Sequence, residues 1–142
     1  MIAADSGYFY ALIDRQDVWH ARAVACHQRL DGEDVITTWP VLTEVCHLML
    51  ARLWPAFAAD LMADVADGCI LVWTPEPAMA GPMAALMRKY AALPMDLADA
   101  SLVMLAEHLG HGRILTTDLR DFSAYRWKSR KPFKNLLEEF DS

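Results

Sequence analysis

The chain has 142 residues, of which 55% are hydrophobic, and it carries a formal net charge of −6. This length predicts one domain with its own core. No apolar run approaches the roughly 20 residues needed to cross a bilayer, and no basic stretch typical of a secretory signal precedes the first apolar residues. The three cysteines lack the spacing of a zinc site or a disulfide framework. We therefore expect a cytoplasmic protein without membrane contact, whose three thiols are buried.

Short apolar runs alternate along the chain with longer segments of helical periodicity. Strands are predicted at residues 1–5, 34–38, 69–74 and 114–117. Helices are predicted at residues 7–14, 17–30, 40–53, 55–67, 83–92 and 95–109. Because pairs of helices separate the strands, hairpins are ruled out and the sheet should be parallel and covered on both faces. The predicted fold class is α/β, a three-layer α/β/α sandwich around a central, mainly parallel sheet.

Acidic residues follow two of these strands. Asp5 ends the first strand and Asp118 follows the fourth, and the carboxyl ends of parallel strands are where open α/β sheets gather their sites. Glu44 lies early in a predicted helix. Each acid has a structural alternative, since Asp caps helices well and negative charge is stabilised near a helix N-terminus.

Asp99 lies in a small, apolar helical stretch with no Lys or Arg within a turn or two. An unpaired charge in such a place is costly unless it meets a counter-charge. Asp96, three residues earlier, can project to the same side of the helix. A divalent cation would relieve the repulsion between these carboxylates, and a donor set made only of oxygen suits Mg²⁺ or Mn²⁺.

Four motifs make the chain resemble PIN-domain proteins, in particular the VapC toxin ribonucleases of bacterial toxin–antitoxin pairs. They are Asp5-Ser6, Trp-Pro-Val-Leu-Thr-Glu at 39–44, Leu-Pro-Met-Asp-Leu-Ala-Asp-Ala at 93–100, and Leu-Thr-Thr-Asp-Leu-Arg-Asp-Phe at 115–122. The resemblance spans nearly the whole chain and implies a single PIN-like domain over residues 1–142. It also implies an endoribonuclease that cleaves RNA with water activated by Mg²⁺ or Mn²⁺ and leaves a 5′-phosphate.

The resemblance further implies which residues act. The catalytic and metal-binding acids fall on Asp5, Glu44, Asp99 and Asp118. The auxiliary positions fall on Asp96, Thr116 and Asp121. A homodimer and a cognate antitoxin are implied as well, with the antitoxin bound near the apolar side chains of residues 49–61, although those side chains could equally belong to the core.

Residues 113–134 hold seven basic residues against two acids, which leaves a local charge of +5 in an acidic chain. Aromatic residues are interleaved with these charges and could offer stacking surfaces, at Tyr125, Trp127 and Phe133. We expect this segment to guide the RNA backbone to the acidic site, with Arg120 and Arg126 contributing most. The alternative is a solvated tail that keeps the protein soluble.

Two other classes of protein compete with the nuclease. A non-catalytic PIN-like module could bind RNA or a protein partner, but the complete set of acids argues against it. A phosphatase of the haloacid dehalogenase type needs Asp-x-Asp at the first strand, whereas Asp5 is followed by Ser6 and Gly7. The chain also lacks the G-x-x-x-x-G-K-[ST] loop of P-loop nucleotide hydrolases.

Overall fold

The computed structural model describes residues 1–139 and contains a five-stranded parallel β-sheet. Its strands are β1 (Ile2–Ala4), β2 (Val35–Thr37), β3 (Ile70–Val72), β4 (Arg113–Leu115) and β7 (Lys134–Asn135). They lie in the order β3-β2-β1-β4-β7, and all four pairings are parallel. The central strand, β1, is at most 1% exposed along its length. The parallel sheet predicted from the helix pairs is confirmed.

Seven α-helices flank this sheet in residues 1–139 and complete a three-layer α/β/α sandwich. They are α1 (Ser6–Ile13), α2 (His20–Gln28), α3 (Trp39–Arg52), α4 (Pro55–Ala66), α5 (Ala80–Lys89), α6 (Leu97–Leu109) and α7 (Leu119–Ala124). Proline near the first turn of α3 and α4 fits the fixed backbone angle that a helix start requires. The predicted fold class is therefore confirmed.

Three helices begin two or three residues away from the predicted position. The α2 helix begins at His20 because Asp17 makes a turn, in which its carboxylate accepts the Trp19 N–H at 2.8 Å. The α6 helix begins after Asp96, whose side chain caps it. The predicted helix at 83–92 lies earlier, as α5, and follows a 3-10 turn at Pro77–Met79.

The basic C-terminal segment is folded, so the solvated-tail alternative is wrong for the residues described. It contains α7, a hairpin of β5 (Arg126–Trp127) and β6 (Lys131–Pro132), and the edge strand β7. Tyr125 and Trp127 are buried in the core, which contradicts their predicted role as stacking surfaces. Phe133 is half-buried and packs against that core.

The cysteines are free, as predicted, but their burial differs from the prediction. Cys26 is buried and Cys46 is half-buried, whereas Cys69 is exposed. Cys69 follows Gly68, which adopts a left-handed backbone at the turn before β3 and leaves the next residue at the surface. Within residues 1–139 no helix combines the length and apolarity that a membrane span requires.

Candidate acidic active site

Three aspartates lie at helix N-termini on the carboxyl edge of the sheet. Asp5 follows β1 and caps α1, accepting the Ser6 N–H at 2.7 Å. Asp118 follows β4 and caps α7, accepting the Asp121 N–H at 3.1 Å. Asp96 caps α6. These aspartates thus cap helices, as the structural alternative proposed. Their carboxylates also lie at the edge where parallel α/β sheets bind ligands.

Thr116 joins the two strand-end aspartates. Its hydroxyl donates to Asp5 Oδ2 at 2.9 Å and accepts the backbone N–H of Asp118 at 3.0 Å. Thr116 is fully buried and Asp5 is only 6% exposed, so neither side chain can exchange these bonds for water. A single hydroxyl therefore fixes the spacing between β1 and the turn after β4.

Glu44 reaches this centre from α3. The Ser6 hydroxyl donates to Glu44 Oε1 through a short hydrogen bond and also lies 3.5 Å from Asp5 Oδ1. The start of α3 is held by Thr38, whose hydroxyl bonds the Ser101 hydroxyl of α6 at 2.7 Å. These contacts place Glu44 beside Asp5 although 38 residues separate Ser6 from Glu44.

Asp99 is held by a tyrosine from the basic segment. The Tyr125 hydroxyl donates to Asp99 Oδ2 at 2.9 Å. Its ring is buried and makes edge contacts with Tyr90 and Phe122, with centroids 5.0 and 5.1 Å apart. Asp99 therefore has a neutral partner in place of the counter-charge that its own helix lacks.

Burial and neighbouring acids raise the pKa of Asp5. Its pKa is about 6 against an ordinary 3.8, mainly because burial penalises the charged form. The charges of Glu44 and Asp118 raise the pKa further, whereas hydrogen bonds from Ser6 and Thr116 lower it. Asp5 therefore interacts electrostatically with Glu44 of α3 and with Asp118 in the turn after β4.

The pKa of Asp99 is raised as well. Burial raises its pKa to about 7, the charges of Asp96, Asp5 and Asp118 add to the increase, and the bond from Tyr125 opposes it. The pKa of Asp121 is also raised, first by burial and then by Asp118. Such mutual repulsion makes the space between Asp5, Glu44, Asp99 and Asp118, which we call the acidic hollow, a place where a cation would be favoured.

The structure brings all seven predicted acidic-site residues into this region. Asp5, Glu44, Asp99 and Asp118 interact through hydrogen bonds or electrostatic coupling, with Asp96 and Asp121 beside them and Thr116 between the strands. The two predicted RNA-binding arginines lie at its edge. Arg120 is exposed, 3.8 Å from Asp121 Oδ1, and Arg126 donates to the carbonyls of Ser123 and Tyr125 at 2.9 Å.

The donor chemistry fits a hard divalent cation, since every candidate ligand is a carboxylate or hydroxyl oxygen. Among residues 1–139, however, no three His, Cys, Asp or Glu side chains form a ready-made metal-binding group. The acids are held near one another by Ser6, Thr116 and Tyr125, and they repel one another across the hollow. A cation would supply the attraction that draws the carboxylates together.

Ser6 and Asn135 were not identified as supporting residues from the sequence, and Tyr125 was predicted to be a stacking surface and not a partner of Asp99. The Asn135 amide accepts the Thr116 N–H at 3.2 Å and donates to the Thr116 carbonyl at 2.9 Å. It thereby extends the β4–β7 ladder beyond its last backbone pair, Ile114 with Asn135. One feature of the sequence indicated such a partner. Asp99 has no Lys or Arg near it in the sequence, so a hydrogen-bond donor had to come from a distant part of the chain, and Tyr125 is that donor.

The fold was compared with known proteins. It matches the crystal structure of VapC20 from Mycobacterium tuberculosis, a toxin that cleaves the sarcin–ricin loop, with a TM-score of 0.73 and 17% identity. The match covers 80% of this chain and 87% of VapC20. Neither the protein-family models nor the curated proteins gave a match. The observed sheet order, helices and structural match together show that this chain has the PIN-like fold that VapC20 also has.

Proposed function

We propose that this chain is a metal-dependent endoribonuclease acting as the toxin of a toxin–antitoxin pair. The observation that carries the proposal is the convergence of acids from four separate parts of the chain on the carboxyl edge of the sheet. Two of them, Asp5 and Asp99, have pKa values raised to about 6 and about 7. Strongly perturbed acids clustered at such an edge are typical of functional sites, and the fold of VapC20, a loop-cleaving toxin, supports the same class.

The metal ligands in this proposal are Asp5, Glu44, Asp99 and Asp118. When bound there, Mg²⁺ or Mn²⁺ would lower the pKa of a water molecule and neutralise charge on the scissile phosphate. Because ligands bind metal in their ionised form, Asp5 and Asp99 must release protons as the site fills. Thr116 orients Asp5 through Oδ2, and Tyr125 orients Asp99 through Oδ2, which leaves the other lone pairs of these carboxylates for the cation.

The proposal includes a cytoplasmic protein with two protein partners, a cognate antitoxin and a second copy of the chain. Exposed apolar side chains support such contacts, since Trp54 is 73% exposed, Leu50 56% and Trp39 47%. Met49 and Leu61, from the apolar set at 49–61, are buried and belong to the core. Arg120 and Arg126 remain the arginines that we expect to contact RNA beside the acids.

One observation favours a second candidate, a non-catalytic PIN-like module that binds RNA or a protein. Residues 1–139 contain no preassembled group of three metal-binding side chains. Titration of the protein with Mg²⁺ and Mn²⁺ by calorimetry, joined to a cleavage assay on the same sample, separates the two candidates. A module of this kind would bind its partner without saturable metal binding and without cleavage.

The direct test is digestion of RNA in the presence of Mg²⁺ or Mn²⁺ by the wild type and by Asp5→Asn and Asp99→Asn. We expect each variant to lose about a hundredfold or more in rate, since each removes a charged ligand from the metal. Asp60→Asn, an exposed acid on α4, is the matched control and should cleave like the wild type. Equal rates in all four proteins, or activity that survives chelation, would contradict the proposal.

A further inference from the structure

A positively charged hairpin directly follows Tyr125, the residue that bonds Asp99 of the acidic site. We call residues 126–132 the basic hairpin; its pairs are Arg126 with Pro132 and Trp127 with Lys131. The buried Trp127 indole donates to the Pro132 carbonyl at 3.1 Å. It packs so closely on Gly112 that a Cβ atom there would collide with the indole. The hairpin is therefore fixed to the body of the protein by its tryptophan.

The tip of this hairpin has an unusual backbone. Lys128 and Ser129 adopt φ angles of 47° and 66°, in the left-handed region that non-glycine residues rarely occupy. The Lys128 N–H donates to Glu107 Oε1 of α6 at 2.9 Å, which anchors the tip. Strained backbone of this kind is concentrated at functional sites, because the surrounding structure must hold it in place.

Three exposed cations project from this anchored tip: Lys128, Arg130 and Lys131. The ammonium groups of Lys131 and Lys128 lie 4.9 and 5.9 Å from the centre of the Trp127 ring, which holds them at the surface. No carboxylate within residues 1–139 forms an ion pair with any of the three. Within the described residues, the charge of the tip is thus not neutralised by an ion pair.

The position of the tip relative to the acidic site follows from α6. Tyr125, which immediately precedes the hairpin, bonds Asp99 near the start of this helix, and Lys128 bonds Glu107 eight residues later. Eight residues of α-helix span about 12 Å. The cationic tip therefore lies about 12 Å along α6 from the acids, too far to contact the same phosphate.

We propose that Lys128, Arg130 and Lys131 of the basic hairpin bind the phosphate backbone of single-stranded RNA outside the acidic site. This inference rests on the proposed function in taking RNA as the substrate. The acidic hollow repels the backbone that it must receive, and a fixed cationic surface nearby compensates for that repulsion. This surface is separate from Arg120 and Arg126, whose guanidinium groups lie beside the acids, at Asp121 and at the carbonyls of Ser123 and Tyr125.

The test measures binding without cleavage. The affinity of a fluorescent single-stranded RNA of about 20 nucleotides is measured by anisotropy in EDTA, over a series of salt concentrations. The hairpin variant combines Lys128→Asn, since Asn tolerates a left-handed backbone, with Arg130→Gln. The matched control combines Arg15→Gln and Arg88→Gln, two exposed arginines outside the hairpin, and removes the same charge.

We expect the hairpin variant to bind roughly ten- to thirtyfold more weakly at about 0.1 M salt. Its log–log salt slope should fall by about 1.4, since each phosphate contact on a single strand contributes about 0.7. The control should change affinity by less than about twofold. Arg130→Glu alone, which leaves both left-handed residues in place, should weaken binding further than Arg130→Gln.

Two results would overturn this inference: wild-type protein that does not bind the RNA, or a hairpin variant that binds no more weakly than the control. Because the assay contains EDTA, both results are independent of whether the wild type cleaves RNA. Absence of cleavage with Mg²⁺ or Mn²⁺ would refute the proposed nuclease and leave the binding result to be judged separately. Melting curves of the variants verify that each one is folded.

Discussion

Tyr125 shows how one side chain can serve both the core and the acidic site. Its ring is buried between Tyr90 and Phe122, and its hydroxyl reaches Asp99 Oδ2. The bond lowers the pKa of Asp99, although burial and neighbouring acids raise it more. Tyr125 is a positioning residue in this arrangement, because it acts on the proposed chemistry only through Asp99.

Tyr125→Phe removes this bond and keeps the ring. We expect the pKa of Asp99 to rise further, so that Mg²⁺ or Mn²⁺ binding requires a higher pH, with a midpoint moved up by about one unit or less. The thermal stability should fall only slightly, by about 1 kcal/mol. Calorimetric titration with metal at a series of pH values measures the midpoint.

Tyr90→Phe is the matched control for this prediction. Its hydroxyl accepts the Arg126 N–H at 3.1 Å, and its ring packs on Tyr125, but no hydrogen bond within residues 1–139 joins it to an acid. It should therefore leave the pH dependence of metal binding unchanged. If both variants moved the midpoint equally, the effect would come from ring packing, and the assigned role of the Tyr125 hydroxyl would be wrong.

At the scale of elements, the close approach of α1 to the end of β4 brings Asp5 toward Asp118. Gly7, in the first turn of α1, lies so near Thr117 that a Cβ atom would collide with the Thr117 hydroxyl. Neighbouring strands β1 and β4 are paired through Ala3–Ile114 and Ala4–Leu115. The absence of a side chain at Gly7 therefore allows the helix to start directly against the adjacent strand end.

Gly7→Ala should push these elements apart. We expect a loss of about 1–3 kcal/mol in stability, as is usual for overpacking, together with weaker metal binding because the Asp5–Asp118 spacing changes. The Gly7→Ala/Thr117→Ala double variant should recover part of both losses. Chemical denaturation and metal titration of the single and double variants give the two readouts.

Gly81→Ala is the control, because Gly81 lies in α5 and a Cβ atom there would meet nothing within 4 Å in residues 1–139 apart from its chain neighbours and its own helix. It should change the stability only slightly, since the helix preference of Ala over Gly is opposed by the restriction that Pro82 places on the residue before it. A Gly7→Ala protein as stable as the wild type, with unchanged metal affinity, would show that the contact with Thr117 does not set the spacing.

For the whole molecule, the rules of parallel sheets were enough to predict that the two strand-end acids converge, whereas the places of Glu44 and Asp99 in the site were implied only by the family resemblance. Asp5 and Asp118 follow strands in the sequence, and such strand ends share one edge of the sheet. The four strands with apolar runs were predicted, whereas β5, β6 and β7 have two residues each and are too short to show a period.

Contacts between the C-terminal segment and the site could not be predicted from the sequence. Asn135 contacts Thr116 across 19 positions, and Tyr125 contacts Asp99 across 26. No local sequence pattern indicates either contact, because each one forms only when β7 and α7 pack against the rest of the fold. The aromatic residues of the basic segment predicted a stacking surface. This prediction was wrong for Tyr125 and Trp127, which are buried and belong to the core.

The raised pKa values of Asp5 and Asp99 make the stability of the metal-free protein depend on pH. Both acids bind protons more tightly in the folded state, at about 6 and about 7, than at their ordinary 3.8. Their stabilising contribution is therefore complete below about 3.8 and is lost as the pH rises through the folded values. For Asp5 the difference of about two units corresponds to about 3 kcal/mol at most.

We expect the Tm of the metal-free wild type to rise by at least about 5 °C between about pH 8 and about pH 5. His111 opposes this trend, since burial lowers its pKa and protonation then disfavours the fold. Comparison with Asp99→Asn isolates the contribution of Asp99, because the Tm of this variant should depend less on pH. Differential scanning calorimetry in EDTA measures both proteins.

Metal should oppose this pH dependence of the Tm only in proteins that keep both acids, Asp5 and Asp99. At about pH 8 a saturating Mg²⁺ or Mn²⁺ concentration should raise the Tm, since the cation binds only the folded, ionised site. Asp99→Asn should gain little, and Asp60→Asn should behave as the wild type. A Tm that is independent of pH in EDTA, or equal slopes for wild type and Asp99→Asn, would mean that these carboxylates do not share the repulsive hollow on which cation binding depends.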